Sequence, residues 1–329
     1  MTAATMADVA RLAGVSKQTV SRVINDHPSV SDRTRAAVEL AIANLDYRPN
    51  AVARQLATRD ALNVGVVCAN LTLFGPAQIV QGIETAARAR GYHTTISGMS
   101  STDADGADDL DHFFGQTFDA LILVDVDEQL HLEGRRTPRA GHVVSAPLGS
   151  DSEGVWNDHR AAVQEATEHL IGLGHRRIAH VSGPRQWPSA REREQGWRHA
   201  LDAAGLPAGP LLSSDWSARS GYEAGVRLRD DPGVTAVVAA NDNVALGLVS
   251  AFCDAGLDVP GDISVVGYDD NPDSTYFRPP LTTVACDFRT MGARYIEALD
   301  LRLGGAPAHP TPPLTHLVVR SSTASPPER

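Results

Sequence analysis

Apolar residues in the first 60 positions recur at the spacing of short helices, and a polar residue that can cap a helix precedes each stretch. These pairs are Thr5 with Met6–Ala13, Ser16 with a helix ending near Asn25, and Ser31 with Asp32–Leu45. Gly14 can end the first helix in a tight turn. The pattern predicts a small all-α unit at the N-terminus.

From Leu62 onward, apolar runs alternate with helical stretches. The predicted strands are Val64–Val67, Ala120–Val124, Ile178–Val181, Ala236–Ala240 and Ile263–Val266. The predicted helices are Ala77–Arg90, Arg160–Gly172, Ala190–Ala204, Asn243–Ala255 and Phe288–Leu303. This alternation is typical of an α/β core with parallel sheets, and its length suits two lobes.

Polar segments flank this core. Pro49 breaks the helical pattern, and Asn50 can cap Ala51–Ala57, which is too short to be helical unaided. At the other end, Ser321–Arg329 is polar and rich in proline, so we expect it to fray. The sequence contains no apolar run of about 18 residues, so we expect no membrane span.

Charge is distributed unevenly along the 329 residues, whose formal net charge is −11. Residues 1–60 contain 8 Lys/Arg and 6 Asp/Glu, whereas the remainder contains 21 and 34. A mildly basic head on an acidic body is expected when only the head meets phosphates. The start has no export signal and the cysteines lack metal-like spacing, so we expect a cytoplasmic protein with reduced thiols.

The strongest signal is the run MADVARLAGVSKQTVSRVIN, from Met6 to Asn25. Two helices joined through Gly14 predict a helix-turn-helix, whose second helix enters the DNA major groove. Lys and Arg can bond guanine there, Gln can bond adenine, and short hydroxyl groups suit phosphates. The residues expected to face DNA are Lys17, Gln18 and Arg22 for bases, with Ser16, Thr19 and Ser21 for phosphates. A solvated helical subdomain is the plainer alternative, and the full spacing argues against it.

This run resembles the headpiece of the lactose/galactose repressor family, whose pattern D-V-A-x-x-A-G-V-S-x-x-T-V-S-R-V-x-N is intact in Asp8–Asn25. Leu45–Asn50, Ala53 and Gln55–Ala57 are similar to the family's hinge helix. The resemblance implies that Leu56 enters the minor groove as an apolar wedge. It further implies DNA contacts by Thr5, Asn25, Asn50 and Ala53.

The resemblance implies a sugar site in the core. Carbohydrate recognition needs polar groups for hydroxyls and an aromatic plate for the ring's C–H face. Arg193, Asn241 and Asp269 lie just after predicted strands or early in helices, where open α/β sheets bind ligands. Trp216 is a candidate plate. Each of these residues also has a plainer interpretation. Trp216 can be a core residue, Asn241 and Asp269 can belong to turns at strand ends, and Arg193 can lie on a solvated helix face.

The resemblance continues to about Arg320, with several stretches most similar to lactose-responsive members. It implies that the same pocket is lined by Leu73, Pro76, Ser189 and Phe288. Four positions depart from those members: Ser145 stands about where they carry Asp, Cys286 where they carry Gln, Lys17 where they carry Tyr, and no Arg stands near Ser101, another of their pocket positions. The group attached to the sugar, and the operator, can therefore differ.

We predict an all-α helix-turn-helix headpiece (1–48), a hinge helix and linker (49–61), and a two-lobed, periplasmic-binding-protein-like core with parallel sheets (62–320). Within the core, lobe 1 spans about 62–158 and 288–315, and lobe 2 about 159–287 and 316–320. A flexible tail (321–329) follows.

These features predict a transcription repressor of a sugar-utilisation operon. It would bind a pseudo-palindromic, double-stranded operator as a homodimer, and a galactoside-like sugar would release it. We expect no cofactor, metal or membrane partner. An enzyme is disfavoured, because no dinucleotide fingerprint, Walker loop or nucleophile elbow is present. A regulator responding to another sugar, a nucleoside or a purine stays open, as does a two-lobed sugar-binding protein without a regulatory role.

Overall fold

A computed structural model of the chain describes residues 4–24, 27, 29–47, 62–98, 113–126, 140–145, 159–304 and 314–328. The chain divides into two units, Met1–Ala61 and Leu62–Arg329. The first contains helices α1 (Met6–Ala13), α2 (Lys17–Ile24) and α3 (Asp32–Asn44).

Short polar contacts set the ends of α1. The backbone N–H and the hydroxyl of Thr5 both donate to Asp8 Oδ2, at 3.0 and 2.6 Å. These bonds hold the pKa of the Asp8 carboxyl below its ordinary value. Gly14 ends the helix with φ +66°, which a residue with a Cβ adopts only at a cost.

One apolar cluster holds the three helices together. Val9, Val20 and Val38 are fully buried in it. Ala10, Val23, Ala41 and Tyr47 complete the cluster. Helices this short are marginal alone in water, so burial of this cluster, and not helix propensity, stabilises the unit.

The second unit contains two sheets. The first has the order β2-β1-β3-β4 and is parallel throughout. Its strands are β1 (Asn63–Cys68), β2 (His93–Gly98), β3 (Phe118–Val124) and β4 (Ala140–Ser145), with α4 (Phe74–Ala89) between β1 and β2. The central strands β1 and β3 are almost continuous apolar runs, as expected when both faces of a parallel sheet are covered.

The second sheet has the order β10-β9-β8-β7-β5-β6, and within it β10 alone runs antiparallel, beside β9. Its strands are β5 (Ile178–Ser182), β6 (Leu211–Ser213), β7 (Ala236–Ala239), β8 (Ser264–Asp269), β9 (Thr282–Cys286) and β10 (Thr315–Val318). Its helices are α5 (His159–Gly172), α6 (Pro188–Ala203), α7 (Ala218–Leu228), α8 (Asp242–Asp254) and a 3-10 turn, Pro272–Tyr276.

Helix α9 (Phe288–Arg302) follows β9 of the second sheet but packs against α4 and the first sheet. Gly82 permits this close approach, because a Cβ there would collide with the backbone carbonyl of Arg289. The chain therefore crosses from one lobe to the other between Cys286 and Phe288, and a cleft forms beside this crossing.

All five predicted core strands and all five predicted core helices are present, with ends that differ by at most three residues. The pattern missed five strands: β2, β4, β6, β9 and β10. Strand β2 is an edge strand whose residues are half-buried or exposed, so it has no apolar run. Within the described ranges, no helix is long and apolar enough to cross a membrane.

The tail is docked on the second sheet over 321–328, and the prediction that 321–329 frays was wrong there. Ser322 is fully buried; its hydroxyl donates to the Val265 carbonyl at 2.6 Å and accepts from the Thr282 N–H at 2.8 Å. The N–H of Ala324 donates to Ser264 Oγ at 3.1 Å. The polar composition of the tail suggested that it is solvated. Its polar groups instead form hydrogen bonds with the amino ends of β8 and β9.

Ser322→Ala should destabilise the core, because the Thr282 N–H loses its buried acceptor. We expect the free energy of unfolding to fall by about 1–3 kcal/mol. Urea unfolding followed by tryptophan fluorescence measures it, since all four tryptophans lie after residue 61. Ser325→Ala, at an exposed position of the same tail, is the control and should change stability by less than about 0.5 kcal/mol. Equal effects of the two changes would contradict the docking role of Ser322.

Candidate functional site

Helix α2 has an apolar face and an exposed polar face. Val20 and Val23 are buried in the cluster of the first unit. Lys17, Gln18 and Arg22, predicted to read bases, are all exposed. The second helix of this helix-turn-helix therefore presents three long donors without disturbing its own packing.

The shorter predicted DNA-binding residues have local roles as well. Ser16 Oγ accepts from the Thr19 N–H at 3.1 Å and lies 2.9 Å from Thr19 Oγ1, which fixes the start of α2. Thr5 is exposed and caps α1, and Ser21 is half-buried. The other predicted contacts, Asn25, Asn50, Ala53 and Leu56, lie outside the described residues.

Gln18→Ala and Arg22→Ala should each weaken binding to a specific duplex by about 1–3 kcal/mol and relax the preference at one base step. Fluorescence anisotropy against a selected duplex and its single-base variants measures both effects. Arg11→Ala, an exposed change on α1, is the control and should leave base preference unaltered. Equal weakening on selected and random DNA would refute direct base reading.

The second unit contains one cleft that gathers every residue predicted for the sugar site. About 600 Å³ of empty space, including the part open to solvent, lies against this lining. The predicted residues that line it are Leu73, Pro76, Ser189, Arg193, Trp216, Asn241, Asp269 and Phe288. They come from the carboxyl ends of strands and the first turns of α4, α6 and α9, as expected for open α/β sheets. Their contact with a ligand stays a prediction.

Two indole rings form one wall. Trp216 lies edge-on to Trp187, with ring centroids 5.6 Å apart at 60°. Both side chains are 5% exposed. Trp216 Nε1 is buried and has no hydrogen-bond partner among the described residues. The plainer alternative, a purely structural Trp216, leaves that donor unsatisfied, which is rare for a buried polar group.

Arg193 is the guanidinium of the lining and is 6% exposed. Its Nη1 donates to the Ala240 carbonyl at 2.5 Å, and its Cζ lies 3.7 Å from the centroid of the Tyr268 ring. Its Nη2 lies 4.0 Å from Asp269 Oδ1. Its Nε has no partner among the described residues. The alternative of a solvated helix face is therefore excluded for Arg193.

Two carboxyl groups face this guanidinium from opposite lobes. Burial raises the pKa of Asp269 to about 7, although Arg193 opposes the shift. Burial also raises the pKa of Asp125, which accepts from Ser189 Oγ at 3.1 Å. Both residues have positive φ, at 110° and 47°. Backbone strain of this kind concentrates at binding and catalytic sites.

Asn241 lines the cleft but uses its amide locally. Its Oδ1 accepts from the Val244 N–H at 2.8 Å and caps α8. Its Nδ2 donates to the Trp216 carbonyl at 3.2 Å. Asn241 therefore both ends a strand and holds Trp216, whose φ is +73°.

Seven lining residues were missed: Gly75, Ile79, Asp125, His159, Trp187, Met291 and Tyr295. Asp125 directly follows a predicted strand, the same signal that indicated Asn241. Met291 and Tyr295 follow Phe288 at helical spacing. His159 and Trp187 carry no comparable signal. No group of three or more metal-ligating side chains was found in the described parts of the chain.

Two family descriptions match the sequence. Residues 5–50 match "Bacterial regulatory proteins, lacI family", and residues 167–323 match "Periplasmic binding protein-like domain". The lactose operon repressor of Escherichia coli (strain K12) is 37% identical over 300 residues, covering 90% of this chain and 83% of that protein. The chain belongs to the lacI family.

Other relatives support the same family assignment. The ribose operon repressor of the same strain is 35% identical, covering 91% of this chain and 93% of that protein. A crystal structure of the lac repressor dimer bound to operator and the anti-inducer ONPF has a TM-score of 0.88 at 35% identity, covering 98% of this chain and all of that one. The protein is thus a helix-turn-helix transcription repressor with a periplasmic-binding-protein-like core, not an enzyme. Members of the family bind operator DNA and small effectors and form dimers.

Asp269→Asn should stabilise the effector-free core increasingly as pH rises. The ordinary pKa of an aspartate is 3.8, and that of folded Asp269 is about 7, so the folded state retains the proton. The stabilising contribution of this group is full below about pH 4 and is lost as pH rises through about 7. The advantage of the variant should grow by roughly 1–4 kcal/mol between about pH 4 and pH 8.

Urea unfolding at a series of pH values measures this difference. Asp273→Asn, an exposed change four residues along the chain, is the control for loss of a carboxyl group outside the cleft. If the stability difference between Asp269→Asn and the wild type does not change with pH, the pKa of Asp269 is not raised by folding.

Proposed function

We propose that this protein represses a sugar-utilisation operon from a pseudo-palindromic operator and leaves it when a galactoside-like sugar binds the cleft. The observation that carries the proposal is the lining itself: two indole rings, one guanidinium and two carboxyl groups surround a single space. We further propose that it acts in the cytoplasm as a homodimer, since a two-fold operator requires two heads.

The chemistry of the lining suits a pyranose ring. Trp187 and Trp216 offer apolar faces for its C–H groups. The carboxylate of Asp269 can accept from hydroxyl groups, and the N–H groups of Arg193 Nε and Trp216 Nε1 can donate to hydroxyl oxygens. A hydroxyl group both donates and accepts, so neighbouring hydroxyls can satisfy both kinds of group at once.

We favour a galactoside because the residues implied by similarity to lactose-responsive repressors all line this one cleft. Ser145 and Cys286 depart from that pattern, so we propose that the group attached to the galactose ring differs. The similarity to the ribose operon repressor makes a pentose the competing effector.

Sugar binding can control DNA binding because the cleft is built from both lobes. The hydrogen bond from Ser189 to Asp125 joins α6 of one lobe to the end of β3 of the other. A ligand that binds one arrangement of the lobes more tightly shifts the population toward it, and the coupling is reciprocal. We propose that the sugar binds the DNA-released arrangement more tightly.

The test measures affinity for a duplex that the wild-type protein selects from random sequence. A galactoside should weaken this binding at least about tenfold, corresponding to 1.4 kcal/mol of coupling. Asp269→Ala should abolish the response and leave affinity without sugar nearly unchanged, because the head is a separate unit.

Asp273→Ala is the matched control and should respond as the wild type does. Release by ribose or a purine nucleoside, without any effect of galactosides, would replace the proposed effector class. An Asp269→Ala protein that still responds at wild-type sugar concentrations would show that the sugar binds elsewhere.

A further inference from the structure

The charges around the cleft do not balance. Asp125 and Asp269 both line it, and Arg193 is the one Lys or Arg among the lining residues described. The carboxyl of Asp269 accepts no hydrogen bond from the described residues, and its contact with Arg193 is long, at 4.0 Å. With both carboxyls ionised, the lining carries two negative charges and one positive charge.

The groups behind the lining do not correct this imbalance. Asp270 is paired with Arg320 at 2.7 Å. Asp242 is buried and accepts from Thr283 Oγ1 at 2.6 Å, and burial raises its pKa well above the ordinary value. His159 is neutral, because burial, and then Arg193, lower its pKa well below the ordinary value. None of these groups brings a positive charge to the cleft.

An ionised carboxylate held away from water without a partner costs free energy. Burial raises the pKa values of Asp125 and Asp269 for this reason, because protonation removes the charge that is otherwise held away from water. A ligand with a positive charge would supply the missing partner, and both carboxyl groups would then be ionised.

We propose that the effector is an amino sugar, a hexose with a protonated amine in place of one hydroxyl group, whose ammonium group pairs with the carboxylates of Asp125 and Asp269. This rests on the proposed function, because it requires that the effector binds in this cleft. It adds Asp125 as the residue that selects for charge.

A simple inorganic cation does not explain the rest of the lining. Trp187 and Trp216 present apolar surface that an ion would leave uncovered. The buried N–H groups at Arg193 Nε and Trp216 Nε1 need acceptors, which a cation lacks. An amino sugar provides ring C–H groups, hydroxyl oxygens and one positive charge in a single molecule.

Calorimetric titration of the full chain near neutral pH tests the proposal with matched hexoses. The probes are galactosamine and glucosamine, the parent galactose and glucose, and the N-acetyl forms, in which acylation removes the charge. An amino sugar should bind at least about tenfold more tightly than its parent, because a desolvated charge pair is strongly coupled. The N-acetyl form should lose that advantage.

The variant Asp125→Asn keeps the shape of the side chain and removes one carboxylate. It should reduce the ratio of the amino-sugar affinity to the galactose affinity toward one, whatever its effect on the two affinities separately. Asp273→Asn is the control and should keep the full preference. The comparison of sugars on the wild-type protein stands even if Asp125→Asn fails to fold.

The outcomes separate the two proposals. Equal binding of galactose and galactosamine would overturn the amino-sugar effector and leave a sugar cleft in place. Binding of ribose or a nucleoside, with no hexose bound, would overturn both. A strong preference for galactosamine that survives Asp125→Asn would remove Asp125 from the charge-selecting role.

Discussion

The core must provide partners for one guanidinium group, that of Arg193, which is buried away from water. Buried charge requires close partners, and Arg193 finds them in the Ala240 carbonyl and the face of Tyr268. Asp269 adds a weaker, longer contact. These partners lie at the carboxyl ends of β7 and β8, so Arg193 ties α6 to the strands that end at the cleft. Its Nε is buried and has no hydrogen-bond partner among the described residues.

The cleft concentrates features that oppose stability. Three of the five non-glycine residues with positive φ in the described chain line it, namely Asp125, Trp216 and Asp269, and a fourth, Asp270, follows Asp269 directly. Strained backbone persists only where surrounding structure holds it. Here the fully buried strands behind the cleft, such as β5 and β7, provide that support. The polar groups of the cleft are therefore held in position by the strands behind them.

The head and the core are stabilised separately. The head has its own cluster around Val9, Val20 and Val38, whereas the core has clusters on each sheet. Lys17 and Gln18 are exposed on α2, whereas Val20 and Val23 are buried, so the two long polar side chains take no part in the packing of the head. This separation is why we expect a change in the cleft to leave the packing of the head intact.

The sequence by itself determined what depends on neighbours along the chain. The cap at Thr5, the turn at Gly14 and the central strands follow from local spacing and from apolar runs long enough to be recognised. Polar residues after strands located Asn241 and Asp269 for the same reason. Only the tertiary structure decided which groups meet across the fold. Ser322 bonds to the starts of β8 and β9, Trp187 contacts Trp216, and Asp125 lines the same cleft as Arg193. Whether such a group is buried, and whether it has a partner, depends on segments that are distant in the sequence. These segments exclude water only when they pack together in the fold.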